Sequence, residues 1–299
     1  MRATNCRQNS ATDRRVGQTY GKTTAFCIMF SGPFGHPSLS VFAGFSILLV
    51  LIALLVGNLV GRRSTRSGHA SESSIGSAVA AVLGLLAFML AFTFNSAAER
   101  YAERKALLLD EVNAIGTSYL RADLLPPAER RQVRALLAEY VNVRDFDPKN
   151  VPDYNERIAR STAIQQQLWQ VTRNLSDAGY EGVRLGKFLD ALNEVIDFHT
   201  SRDFVGGRYR IPTPIWGALF AVTALAMFAI GFQLGTGRKG SPQVAIALAL
   251  AYSVVILLIA DLDRSYEGML VVDQTPMQEL NTQLQASERE ALKTSVHES

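Results

Sequence analysis

Residues 75–94, IGSAVAAVLGLLAFMLAFTF, carry no charge and run straight on into NSAAERYAERKALLLDEVNAIGTSYL with no proline between them. About 20 apolar residues rising 1.5 Å each cross the roughly 30 Å hydrocarbon layer of a bilayer. The second half turns amphipathic at helical spacing, so one helix is expected to begin in lipid and to end in water. Such a helix ties a membrane layer to a soluble layer, and every other segment has to be arranged around it.

Three more apolar runs obey the same length rule. Residues 41–60 form a first span closed by Gly61, Arg62, Arg63 and Arg66, and residues 214–234 and 244–260 form a third and a fourth. The first run is too long and too uniform for a signal peptide, and no small-x-small cleavage site follows it. The expected fold class is all-α: a four-span helical membrane protein with a helical soluble domain inserted between the second and third spans. The division is 1–40, a disordered N-terminal extension; 41–98, spans one and two; 99–212, the soluble domain; 213–260, spans three and four; and 261–299, an acidic tail with a short amphipathic helix. The extension is rich in Thr, Ser, Asn, Gly and Arg and lacks periodicity, and Met29 is a candidate start within it.

Four stripes define the soluble helices. They are Leu107, Leu108, Val112, Ile115 and Tyr119; Val133, Leu136, Leu137, Tyr140 and Val141; Ile158, Leu168, Val171 and Leu175; and Leu185, Leu189, Leu192 and Ile196. Leu125-Pro126-Pro127 ends the first helix, and Asp153 with Glu156 makes a capping box for the third. No segment alternates with period two for long enough to propose a sheet. Thr275, Pro276 and Gln278 open a last helix whose edge of Met277, Leu280 and Leu284 suits docking on the soluble domain or on a neighbouring subunit. Residues 95–212 hold 17 Lys and Arg against 17 Asp and Glu, which leaves no basic face for nucleic acid. Both cysteines, Cys6 and Cys27, precede the first span, so neither a disulfide nor a Cys-based metal site belongs to the soluble domain.

Within the second span Gly76, Ala80 and Gly84 recur every fourth residue, a stripe suited to close helix packing. Phe88 and Phe92 continue the same line. They face lipid or other helices in one reading, and in the other they form an apolar constriction that gates a pore by dewetting. Ionisable residues are missing from all four span centres, which argues against a proton-coupled carrier. No Walker loop, nucleophile elbow, HExxH or GxGxxG occurs, and no catalytic residue, cofactor or metal is expected. His199 and Asp203 share a helical face, but they are two ligands where zinc needs at least three, and a plain i, i+4 pair is the commoner use. Glu111 and Asn113 would join them only if the first and fourth soluble helices pack together.

By the positive-inside rule Arg62, Arg63, Arg66, Arg238 and Lys239 put the short loops in the cytoplasm, whereas Arg100, Arg104, Lys105, Arg208 and Arg210 pull the soluble domain there. Read from the short loops, the soluble domain is expected on the outer side.

Two spans, a helical domain opening with DEVNAIGTSYLRADLLPPAERRQVRALLAEYV, two more spans and the exit ADLDRSYEG together resemble the bestrophin-like domain family of bacterial membrane proteins. Glu111, Asn113, Ala114, Gly116 and Thr117, then Leu125-Pro126, Tyr140, Asp261, Asp263 and Gly268 carry the likeness, which covers about residues 41–277. That family is distantly similar to bestrophins, pentameric anion channels with a helical domain between their second and third spans. The resemblance implies a homopentamer in a bacterial inner membrane, with the second span lining a pore for an anion and Phe88 and Phe92 in the place of the channel's apolar neck. Two features depart from bestrophins: they keep the soluble domain in the cytoplasm, and their calcium-binding acidic run is not reproduced by Asp261, Asp263 and Glu267. The functional expectation is an oligomeric anion channel in a lipid bilayer. The alternative is a non-conducting membrane anchor whose helical domain binds a protein or envelope partner.

Overall fold

The computed structural model describes residues 38–66, 72–147, 154–236 and 241–297. The N-terminal extension with Cys6, Cys27 and Met29, the Asp153 cap and the loop bases Arg238 and Lys239 lie outside the described residues. Among the described residues eight longer helices follow in chain order: α1 Leu39–Arg66, α2 Glu72–Arg121, α3 Pro127–Arg144, α4 Tyr154–Asp177, α5 Val183–Asp203, α6 Thr213–Gly235, α7 Pro242–Leu262 and α8 Thr275–His297. There is no strand among the described residues. Two compact units share these elements, one of residues up to Ala97 with Ile211–Asp261, the other of Ala98–Arg210 with Leu262–Ser299. Helix α2 is unbroken over 50 residues, about 75 Å, and contributes its first half to one unit and its second half to the other.

The membrane unit contains the parts of α1, α2, α6 and α7 that are long and apolar enough to span a bilayer. Its small core draws on all four, with Val50, Val79, Met227, Ile230, Ala245 and Ala249 packed together. The tightest pair is α1 with α6. Gly57 and Gly61 on α1 meet Gly231 and Gly235 on α6, and a Cβ added at any of the four would stand well under 3.0 Å from backbone of the opposite helix. Two glycines four residues apart on each helix remove the side chains that would hold the backbones apart, which is how small-xxx-small pairs bring helices together in lipid. At another level of the same pair Trp216 sits edge-on to Phe42, ring centres 4.8 Å apart, and stacks on Phe220 at 6.0 Å. The stripe read on the second span behaves differently. Among the described residues no other helix comes within 4 Å of a Cβ added at Gly76 or Gly84, and Ala80 is exposed, so close packing inside the protomer is made by the first and third spans instead.

In the soluble unit α2, α3, α4 and α5 bury most of the expected stripes, around Ile115, Leu137, Tyr140, Leu168 and Leu192, with Ile164, Phe188 and Val195 added, while Leu107 and Ile158 stay half-buried outside that core. Proline accounts for the first break: α2 ends at Arg121, one 3₁₀ turn covers Ala122–Leu124, and Pro127 starts α3, where its missing N–H costs nothing. Helix α8 is 23 residues long rather than short. It docks on the chain's own soluble unit, with Met277, Leu280 and Leu284 buried in that core. Tyr119 reinforces the contact by donating to Glu288 at 2.7 Å, and Asn281 by donating to Asp145 at 2.9 Å.

Candidate functional site

The soluble unit is organised around a carboxylate. Glu111 stands on the apolar stripe of α2 and is fully buried. Helix α3 presents Tyr140 and Arg144, four residues apart and so on one face, and α5 presents His199 and Arg202, three apart. Arg144 donates its Nε to Glu111 Oε1 at 3.0 Å and its Nη2 to Oε2 at 3.1 Å, a two-point clamp. Tyr140 donates to Oε1 at 2.7 Å, and Arg202 donates to Oε2. Gln165 of α4 donates to the Tyr140 hydroxyl at 3.4 Å, and Arg202 also donates to Gln274 Oε1 at 3.2 Å, just ahead of α8. A buried charge is tolerated only when it is paired and hydrogen-bonded, and this one is met from several sides.

Burial alone would raise the Glu111 carboxyl. The Arg144 and Arg202 guanidiniums, with hydrogen bonds from Arg144 and Tyr140, outweigh it and hold the group at about 2. A carboxylate that stays ionised at neutral pH, with both oxygens engaged, is a poor general acid or base. Its chemistry is that of a fixed acceptor that positions three helices.

His199 lies beside this cluster, its ring 6.1 Å from Tyr140, and is also buried. Burial, then the Arg144 charge, lower it to about 4, against the opposing pull of Glu111 and Asp203. The folded protein therefore keeps His199 neutral at pH values where the unfolded chain, titrating near 6.5, takes up a proton. Stability from this group is complete above about pH 6.5 and falls as pH drops toward 4, by about 3 kcal/mol in all, because each tenfold difference in proton affinity between the two states is worth about 1.4 kcal/mol. Denaturant unfolding at pH 7 and pH 4.5 should show a flatter loss in His199→Gln than in the parent. Equal slopes in the two proteins would refute the assignment.

The other residues singled out in the sequence fall in several places. Asp203 accepts a hydrogen bond from Tyr154 at 2.9 Å, and Tyr154 accepts one from Tyr266 at 3.2 Å. Asn113 is exposed, whereas Glu111 and His199 are buried. No group of three or more His, Cys, Asp or Glu positioned to hold a metal occurs among the described residues. A Cβ added at Gly116 would come into ordinary contact with Leu280, at 3.9 Å. Asp261 is buried at the end of α7. Asp263 pairs with Arg100 at 3.2 Å and accepts Arg210 on its backbone oxygen at 2.8 Å, while Glu267 pairs with Arg264. Gly268 has φ +107°, a conformation that favours glycine. Phe88 and Phe92 are 67% and 61% exposed on α2, in line with Ala80 and Gly84 on a face that the protomer leaves open.

Arg144, Arg202 and Gln274 escape a reading by motif. The signal that marks the two arginines is a charge standing on an apolar stripe. Arg144 continues the series Val133, Leu137, Tyr140, and Arg202 continues Leu192, Val195, His199.

The model of the bestrophin-like domain matches residues 44–277. No curated protein matches the chain. Solved structures of a bacterial bestrophin homologue from Klebsiella pneumoniae share its fold. A tyrosine-to-alanine mutant of that protein is 15% identical with TM-score 0.63, over 82% of this chain and 98% of that one. A tryptophan-to-alanine mutant is 16% identical with TM-score 0.61, over 86% and 98%. A membrane protein solved as a proline-to-alanine mutant is 14% identical with TM-score 0.62, over 84% and 98%.

Proposed function

The chain belongs to the bestrophin-like domain family, and from that premise we propose that it is an oligomeric anion channel of a bacterial inner membrane, with α2 forming the pore wall. The open face of α2 carries this reading. Large aromatic side chains, Phe88 and Phe92, stand exposed one helical turn apart, in line with the small residues Gly76, Ala80 and Gly84. Small residues allow a neighbouring helix to come close, and a ring of aromatics is the kind of constriction that stops flow by shedding water. Only 11–33% of the most apolar window of each span is buried within the protomer, which leaves wide apolar faces for other copies and for lipid. Between residues 75 and 94 α2 has no Asp or Glu, so the proposed pore wall carries no acidic ring to draw cations.

Chloride and potassium flux into liposomes holding the purified protein, with subunit count by native mass, tests the proposal. The expected result is one defined oligomer, pentameric by the family likeness, that passes chloride in preference to potassium. Phe88→Ala and Phe92→Ala should each raise the flux severalfold. Unchanged flux in both variants would mean that these rings do not form the neck. A monomer that passes nothing would replace the channel with the membrane anchor, whose soluble unit binds a protein or envelope partner.

A further inference from the structure

The soluble unit contains a cavity of about 40 Å³ that the Glu111 cluster only borders. Arg104, Arg202, Ser265 and Gln274 supply polar groups to its wall, Phe146 and Val205 apolar ones, and no Asp or Glu among the described residues lines it. Gly206 lines it too, and a Cβ there would stand 3.0 Å from the hydroxyl of Tyr266, another lining residue.

The charge around this cavity does not balance. Arg104 is 7% exposed; its guanidinium lies over the Tyr101 ring, 5.8 Å from the ring centre, and only its Nη2 makes a hydrogen bond among the described residues, donating to the Leu262 carbonyl at 2.5 Å. Its Nε and Nη1 are buried without a hydrogen-bond partner among the described residues, and so is the Ser265 hydroxyl. Asp263, an acidic neighbour of Arg104, is paired with Arg100. Across the cavity Arg202 shares the single Glu111 carboxylate with Arg144, so that trio also carries one positive charge in excess. Buried guanidinium N–H groups in folded proteins almost always find an acceptor, because leaving a charged donor dry costs more than leaving a neutral one.

We infer that this cavity is a binding site for a small soluble oxyanion, of the carboxylate or phosphate class, with Arg104 as its main ligand and Arg202 and Ser265 beside it. Every unspent group on Arg104 is a donor and the Ser265 hydroxyl can donate as well, which fits an acceptor-only guest. The volume holds a few water-sized centres, the size of a headgroup rather than of a nucleotide. Charge-assisted contacts to a polyatomic anion supply several acceptors at once, which a halide does not. Binding is read without flux, so the site stands or falls independently of conduction.

The full-length protein in detergent is titrated with inorganic phosphate and with acetate by calorimetry, and its thermal unfolding is followed in the same salts against sodium chloride at matched ionic strength. Phosphate or acetate should bind and raise the unfolding midpoint, and chloride should not. Arg104→Gln should weaken binding by about 10-fold or more and cancel the rise, as expected for loss of a charged hydrogen bond. An equal rise with chloride would make the effect one of screening and overturn the site. So would phosphate and acetate both failing to bind, or full affinity retained in Arg104→Gln. If Arg104→Gln does not fold, Ser265→Ala decides, because it removes a small unpartnered hydroxyl. It should weaken binding severalfold, and unchanged affinity there would overturn the site.

Discussion

Glu111→Ala is expected to destabilise the soluble unit by about 3–5 kcal/mol, enough to leave much of the protein unfolded or lost during expression. The substitution removes one residue but strands the buried Arg144 guanidinium, the half-buried Arg202 guanidinium and the Tyr140 hydroxyl, which all donate to that carboxylate. Glu111→Gln keeps the shape and restores one acceptor, so it should fall between the parent and the alanine variant. The size of the loss comes from unpaired charge rather than from lost packing. Combining Glu111→Leu with Arg144→Met and Arg202→Met should therefore recover much of the stability that Glu111→Ala loses. Denaturant unfolding of the four proteins, followed by circular dichroism, gives the comparison. A loss below about 1 kcal/mol in Glu111→Ala would mean that the cluster is not what joins α2, α3 and α5. Because the carboxylate is held at about 2, its contribution is present above about pH 4.3 and is lost only as pH falls toward 2, below the range in which His199 acts.

Gly57→Leu and Gly231→Leu should have the second large effect, in the membrane unit. At both positions an added Cβ would overlap backbone of the partner helix, Phe228 for Gly57 and Leu54 for Gly231. Backbone cannot move aside as a flexible side chain can, so α1 and α6 must separate. Overpacking of this kind costs about 1–3 kcal/mol per site, and the two sites share one contact, so the pair will not be simply additive. Thermal denaturation in detergent and the yield of folded protein from membranes should both fall. Gly84→Leu is the contrast: nothing lies within 4 Å of its Cβ position, so protomer stability should be unchanged. If Gly84→Leu leaves the melting of the protomer alone but lowers the subunit count, the open face of α2 is the contact between copies. Normal stability in both Gly57→Leu and Gly231→Leu would contradict the packing of α1 on α6.

Both glycine sets are written in the chain at related spacings. Gly57 and Gly61, Gly231 and Gly235, and Gly76 with Gly84 all sit at intervals of four or eight on apolar helices. The longer stripe on the second span is the more conspicuous, yet inside the protomer only the two shorter pairs meet a partner. Small residues permit a close approach without specifying which helix makes it. The last helix shows the same division. Its edge of Met277, Leu280 and Leu284 was legible, but whether it docked on its own domain was not.

What the sequence determined by itself is what depends on sums over neighbouring residues. The free energy of moving about 20 consecutive side chains into lipid identifies the spans, and the 3.6-residue period of apolar side chains identifies the soluble helices and their inward faces. The tertiary structure decided which distant groups meet. Glu111, Arg144 and Arg202 are separated by 33 and 58 residues in the chain, among 27 acidic and 30 basic residues that could have paired otherwise. Electrostatic partnership depends on distance in space and on the exclusion of water, and neither exists until α2, α3 and α5 have packed. The same packing gives Arg104 its unspent donors, so the proposed anion site is a property of the fold that no stretch of the sequence carries alone.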